Sequence, residues 1–226
     1  MYVDSDSDAY HCPLNGWIQF NAAKQLLADN GYDIDQLIEQ SKSPDFKPIS
    51  LKSTVTVSMR NTFDRQQSPN VIGYIPGSGN TDESVIYLGH WDHLGYGAPI
   101  NGDSYFQQVN IISSRTRCPD PMVLKTPKGK IPLDWLEGYT AFSARIELEI
   151  DIDNAELVFA GYGIVAPEYG KNDFEGIENP QDKVAVVIVN DPGLGSDNTD
   201  YFNGDIMTYY GRWMYKFEEG ARQGLK

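Results

Sequence analysis

The chain has 226 residues, 40% of them hydrophobic, enough for one large or two small domains with a true core. Its 18 basic and 32 acidic residues leave a formal charge of −14, which excludes nucleic acid and anionic membrane as main partners. No apolar run approaches the ~20 residues that span a bilayer, and the start, from Met1 to Asp8, lacks the basic end and apolar core of a signal peptide. Two cysteines, Cys12 and Cys118, are too few for a disulfide scaffold and not spaced for a zinc knuckle; one long-range disulfide and two free thiols both fit.

Asp4, Asp6 and Asp8 alternate like the opening of a calcium loop, but Ala9 and Asn15 stand where that loop needs glycine and glutamate, so a solvated acidic terminus is expected. From Gln19 to Leu27 small and apolar residues predict a helix that Asn30-Gly31 ends, and Asp33 opens a second with carboxylates in its first turn. Without a basic face this pair is a packing unit, not a DNA reader. Pro44 and Pro48 close it, and the alternation from Ser53 to Met59 predicts a half-buried strand.

Asn70 to Ile75 reads as a strand that a glycine-rich turn joins to another at Val85 to Leu88. That turn lacks a P-loop lysine and opens no helix, which leaves it a plain connection. The second strand ends in Gly89-His90-Trp91-Asp92-His93, polar groups at the carboxyl end of a strand, where α/β sheets build sites. In His90-x-Asp92 an imidazole can ligate a metal while the carboxylate fixes its tautomer. A bare His-x-Asp is more often a turn closing a strand, because a metal site needs three or four ligands.

Tyr96 to Asp103 is a turn-rich seam and the best boundary in the chain. Beyond it, strands are expected at Phe106–Ile112, at Ala141–Ile152 with one wet face, and at Glu156–Ala160. Lys183 to Val189 is the most continuously apolar segment and reads as a central strand. Met207 to Gln223 carries Trp213, Met214 and Phe217 at helical spacing, the pattern of a core-facing helix.

Two blocks resemble the di-zinc aminopeptidases of the family that includes glutamate carboxypeptidase and the transferrin receptor, in the form carrying a protease-associated insert. The first runs from Pro13-Leu-Asn-Gly-Trp-Ile through Asn70-Val-Ile-Gly-Tyr-Ile to Tyr87-Leu-Gly-His-Trp-Asp-His-Leu-Gly. The second comprises Glu156-Leu-Val-Phe-Ala-Gly-Tyr-Gly, Val187-Ile-Val-Asn-Asp-Pro-Gly and Met207-Thr-Tyr-Tyr-Gly-Arg-Trp with Glu218-Glu-Gly-Ala-Arg. In the family the second block precedes the first, so the chain reads as a permuted or rearranged piece joined near Ala98.

The resemblance implies zinc as cofactor, His90 as its ligand and Asp92 as the catalytic carboxylate supporting it, with no assigned role for His93. The family's remaining ligands, a bridging aspartate, a Glu-Glu pair and a final histidine, have no counterpart in context. Glu218-Glu219 mimics the pair, but its flanks match the helix of the protease-associated domain, and no spacing joins His11 and Asp103 to His90.

The fold class implied is α+β: a β-rich protease-associated-like domain of residues 1–50 and 98–226 with a helical hairpin, and a partial peptidase-sheet segment of residues 51–97 carrying the His-x-Asp motif. The function implied is a non-catalytic lid or binding module for peptides or protein partners, using aromatic loops around Tyr162, Tyr169 and Tyr209 to Trp213. The alternative is a zinc aminopeptidase whose missing ligands come from further chain. The family is usually exported, which points to a periplasmic or extracellular origin.

Overall fold

A computed structural model describes residues 2–3, 11–71, 73–75, 78–79, 98–99, 106–195, 198 and 200–226. The chain forms two compact units, one of Met1–Asp6 and Phe63–Ser114, the other of Ser7–Thr62 and Arg115–Lys226. Mixed helices and sheets, with strand predominating, make the fold α+β.

In the first unit, β1 (Tyr2–Val3) pairs antiparallel with β6 (Phe106–Arg117), Tyr2 opposite Ile112. There also β4 (Gly73–Tyr74) pairs with β5 (Ala98–Pro99). The expected strand Val85 to Leu88 and the motif residues His90, Asp92 and His93 lie outside the described residues, as does Asp103.

The second unit opens with β2 (Asn15–Ile18), which pairs antiparallel with β9 (Tyr139–Phe142). Gly16 is required there, since a Cβ would stand 2.3 Å from the Thr140 carbonyl oxygen. Helix α1 (Phe20–Asp29) follows, and its end satisfies the loose carbonyls as a Schellman turn. Gly31 takes φ +88°, its N–H donates to the Ala28 carbonyl at 3.1 Å, and the Tyr32 N–H donates to that of Leu27 at 2.9 Å. Helix α2 (Ile34–Ser41) is capped by Asp33, whose carboxylate accepts from the Gln36 N–H at 3.0 Å. The end of α1 and the start of α2 thus fall where their capping residues dictate, and the two helices bury Leu26, Leu27, Ile34 and Leu37.

Strand β3 (Ile49–Val71) is far longer than the alternation of Ser53 to Met59 predicts. Its buried Leu51, Val55, Val57 and Met59 face the main core. On one side it pairs with β10 (Glu149–Phe159), and on the other Thr54 to Thr56 pair with β7 (Met122–Thr126), which forms a hairpin with β8 (Gly129–Leu133).

The expected strand Ala141–Ile152 is broken. β9 stops at Phe142 and β10 starts at Glu149, and Arg145 between them turns its Nε to the His11 carbonyl at 2.8 Å. The segment Glu156–Ala160 is not a separate strand but the second half of β10. One β-bulge explains both readings: Ile152 pairs with Val57 and Ala155 with Val55, with Asn154 at φ +48°. The inserted residue switches the buried positions from Ile150 and Ile152 to Ala155 and Leu157, so two even and two odd positions share one core face. Thr56 holds the bulge by donating to Asp153 at 3.1 Å and accepting from the Asn154 N–H at 3.0 Å.

The segment expected as the central strand is at the border. Among the described residues β13 (Lys183–Val186) pairs only with β10, in parallel, and ends the sheet order. The two-stranded β11 (Val165–Ala166) and β12 (Lys171–Asn172) lie in the glycine-rich region after β10, and α3 (Trp213–Arg222) is shorter than the Met207–Gln223 span expected. Among the described residues no helix is long and apolar enough to cross a membrane.

Candidate functional site

The site is built where β13 borders the two amino-terminal helices and α3, all within the second unit. A cavity of about 390 Å³ opens there. Leu26 and Leu27 of α1, Ile38 of α2 and Val184 and Val186 of β13 form its apolar walls, and Phe217 and Gly220 of α3 close the far side. The alternation of β13 produces this wall: Val184, Val186 and Ile188 face the main core, whereas Ala185 and Val187 face a smaller cluster with Phe174 and Leu225.

The mouth is aromatic. Trp17 and Trp213 pack edge to face at 5.5 Å between centroids, and each packs against Phe217, at 5.5 and 5.7 Å. Trp17 remains 40% exposed and Trp213 46%, with Phe20 and Met214 exposed beside them. Core burial expected for Trp213 and Met214 is therefore wrong; only Phe217 turns inward. The reason is that α3 buries Tyr215, Lys216, Glu219 and Gly220, a stripe two positions along from the one that Trp213, Met214 and Phe217 suggest.

The aromatic loops expected to make contacts divide. Tyr162 is a core residue, 3% exposed, and Tyr169 stacks on the fully buried Phe202 at 4.2 Å. Tyr209 and Trp213 are the exposed members of the set. Glycine-rich chain around Tyr162 is compact because Gly161 and Gly163 take φ +50° and +62°, and a Cβ on either would meet a side chain at under 3.0 Å.

Beneath the mouth is a buried polar group. Lys216 donates to the carbonyls of Asn190 at 2.9 Å and Tyr210 at 2.6 Å. Burial pulls its ammonium down to about 7, against the opposing pull of Asp173 and Asp191. Asp191 accepts from the Gly193 N–H and from the Thr208 N–H and hydroxyl, at 3.2, 2.8 and 2.7 Å. Lys171 Nζ lies 2.8 Å from Asp173 Oδ1, with both side chains fully buried, and donates to the Ser41 and Ser43 carbonyls. Burial pushes the Asp173 carboxyl up, and Lys171 pulls it back. The Lys171 contacts tie the end of α2 to the chain after β10.

Lys216 and Lys226 are the lysines among the lining residues, the first with its amine turned to the Asn190 and Tyr210 carbonyls, and among the described residues no aspartate or glutamate lines the cavity. Cys12, also in the lining, is held as a neutral thiol because burial pushes it up to about 11. Cys12 and Cys118 are both free and buried.

Glu218 and Glu219 lie on α3. Glu219 is buried and accepts from Arg222 Nε and Gln223 Nε2, each at 2.8 Å, whereas the exposed Glu218 accepts from the Tyr209 hydroxyl at 3.1 Å. They brace α3 and its end. His90 and Asp92 lie outside the described residues, and among the described residues there is no group of three or more histidines, cysteines or carboxylates placed to hold a metal.

The cavity was not legible as such in the sequence. Its one signal is the both-faced apolar run at Lys183 to Val189, which reads as central only if a neighbour lies on each side. Compared with family models, with curated proteins and with solved structures, the chain matches none.

Proposed function

We propose that the chain is a non-catalytic module of the protease-associated type that binds peptides or protein segments, related by its motifs to the zinc aminopeptidases. The observation that carries this reading is the half-exposed Trp17–Trp213 pair at the mouth of an apolar cavity. Exposed tryptophans beside a concave apolar surface are what protein-binding hot spots are made of, whereas a hydrolase needs a nucleophile or metal with a base.

The test is calorimetric titration of the full chain with short apolar peptides. Saturable binding, weakened at least tenfold by Trp213→Ala, supports the module; absence of binding to any of them overturns it. Zinc belongs to the alternative reading, with His90 as ligand and Asp92 as its support. Turnover of a leucine anilide that requires zinc and is abolished by His90→Ala establishes the aminopeptidase and displaces the module.

A further inference from the structure

The outer edge of β13 is unlike an ordinary sheet border. Edge strands are normally blunted by charges, prolines, bulges or covering loops, because their free N–H and C=O groups invite another strand. β13 and its continuation to Val189 carry no charge after Lys183 and no proline. Both faces are apolar, the pattern of a strand enclosed on two sides. Its side chains are nonetheless only half-buried, because the cavity lies against them.

Its backbone is directed to match. Ala160 donates to the Val186 carbonyl at 3.0 Å and Ile188 donates to Gly161 at 2.8 Å, so the even-numbered residues hydrogen-bond to the β10 side. Strand alternation turns the N–H and C=O of Lys183, Ala185 and Val187 the other way. The first of these is already engaged: Lys226 donates its N–H to the Lys183 carbonyl at 2.9 Å. Among the described residues no strand continues that contact past Ala185 and Val187.

We propose that the free edge of β13 and the cavity beside it take up an extended, apolar peptide segment as an added strand, with a carboxylate of that segment set against Lys226. The proposal rests on the peptide-binding reading above and specifies its mode. Residues Ala185 to Val189 span about 16 Å at ~3.3 Å per residue, so five or six peptide residues fill the edge. Main-chain hydrogen bonds to Ala185 and Val187 give affinity, and alternate side chains enter the cavity between Val184, Val186 and the aromatic mouth.

Charge chooses among occupants. Lys226 is in the lining and, among the described residues, no aspartate or glutamate is, which suits an acidic group on the ligand. A second copy of this chain brings net charge −14 against −14, and a two-fold pairing of β13 with itself sets apolar edge against apolar edge. A fatty acid fits the apolar walls and the charge but leaves the outward N–H and C=O of Ala185 and Val187 without partners.

The experiment is fluorescence anisotropy of the full chain with a fluorescein-labelled hexapeptide, Glu-Val-Leu-Val-Ile-Glu, and with the same peptide N-methylated at alternate residues in each of the two phases. Expected are saturable binding of the parent peptide and at least tenfold weaker binding of one N-methylated form. Ala185→Pro removes an outward N–H while sparing the β10 ladder, and it should also weaken the parent at least tenfold. Lys226→Glu should weaken it at least threefold.

Equal affinity for the parent and both N-methylated peptides overturns strand addition while leaving the peptide-binding module intact. The comparison of peptides needs no altered protein, so it decides the matter even if the proline variant does not fold. Displacement of the parent peptide by palmitate at equal or lower concentration overturns the proposal in favour of a lipid. Sedimentation as a dimer whose formation excludes the peptide overturns it in favour of a second copy. Failure of every apolar peptide to bind removes the module and the proposal together.

Discussion

Lys216 shows how one residue couples burial to pH. Its amine, held down to about 7 in the folded chain, has an ordinary value of 10.5, the value expected once unfolded. Between those limits the unfolded chain binds one more proton than the folded one, so stability rises with pH, by at most about 1.4 kcal/mol per unit. Below about pH 7 both states are protonated and the folded chain carries the full cost of a buried ammonium.

Acids pushed up by burial act in the opposite sense. Cys12, raised from 9.0 to about 11, and Tyr162 and Tyr201, each raised from 10.0 to about 12, ionise first in the unfolded chain, and stability falls once pH passes 9 to 10. The expected outcome is a guanidinium-unfolding midpoint that climbs from pH 7 to about 9 and then declines. Lys216→Met should flatten the climb and leave the decline. A wild-type midpoint independent of pH over 7 to 9 would show that the amine is not held in its neutral form.

At the scale of elements, the bulge in β10 carries the largest consequence. Deleting Asn154 restores strict alternation, which would turn Ala155, Leu157 and Phe159 away from the face they now share with Ile150 and Ile152. Three buried apolar side chains are then presented to the wrong side, at roughly 1.5–3 kcal/mol for each of the larger ones. Loss of cooperative unfolding in a denaturant titration is expected. Thr56→Val, which removes only the contacts to Asp153 and Asn154, should cost about 1 kcal/mol. If the deletion variant unfolds as cooperatively as the parent, β10 is free to slip and the bulge does not set its register.

These contrasts also mark what the sequence makes legible. Helices α1 and α2 are readable because their signals are local: Asp33 caps one and Asn30-Gly31 ends the other within a few residues. The α+β class follows from the same helices and from the alternation of β3. The bulge is not readable, since it depends on Thr56, about a hundred positions away. The border position of β13 is misread because a both-faced apolar strand implies two neighbours, and among the described residues it has one. The exposed Trp17–Trp213 pair unites positions almost two hundred residues apart, so no spacing rule finds it.

On the scale of the whole molecule, the chain leaves and re-enters the second unit at neighbouring points. Asn61 accepts from the Thr116 hydroxyl at 2.7 Å and Thr62 donates to the Arg115 carbonyl at 3.5 Å, pairings that run as antiparallel neighbours do. The residues between, Phe63–Ser114, belong to the first unit. The second unit contains the main core, the buried Lys171–Asp173 pair and the whole lining of the cavity. Its stability therefore does not require the excursion.

Replacing residues 63–114 by an Asn-Gly turn should leave a cooperatively folding protein, because that dipeptide closes a two-residue hairpin with the twist of the flanking strands. Shortening the loop from 52 residues to two also lowers its closure entropy, by about 0.6 kcal/mol for each halving before stiffness intervenes. The same excision removes His90 and Asp92. Binding of the hexapeptide should survive with affinity within threefold of the parent, while any zinc-dependent turnover disappears. Peptide binding lost together with residues 63–114, in a variant that still unfolds cooperatively, would place the binding site in the excised part and not beside β13.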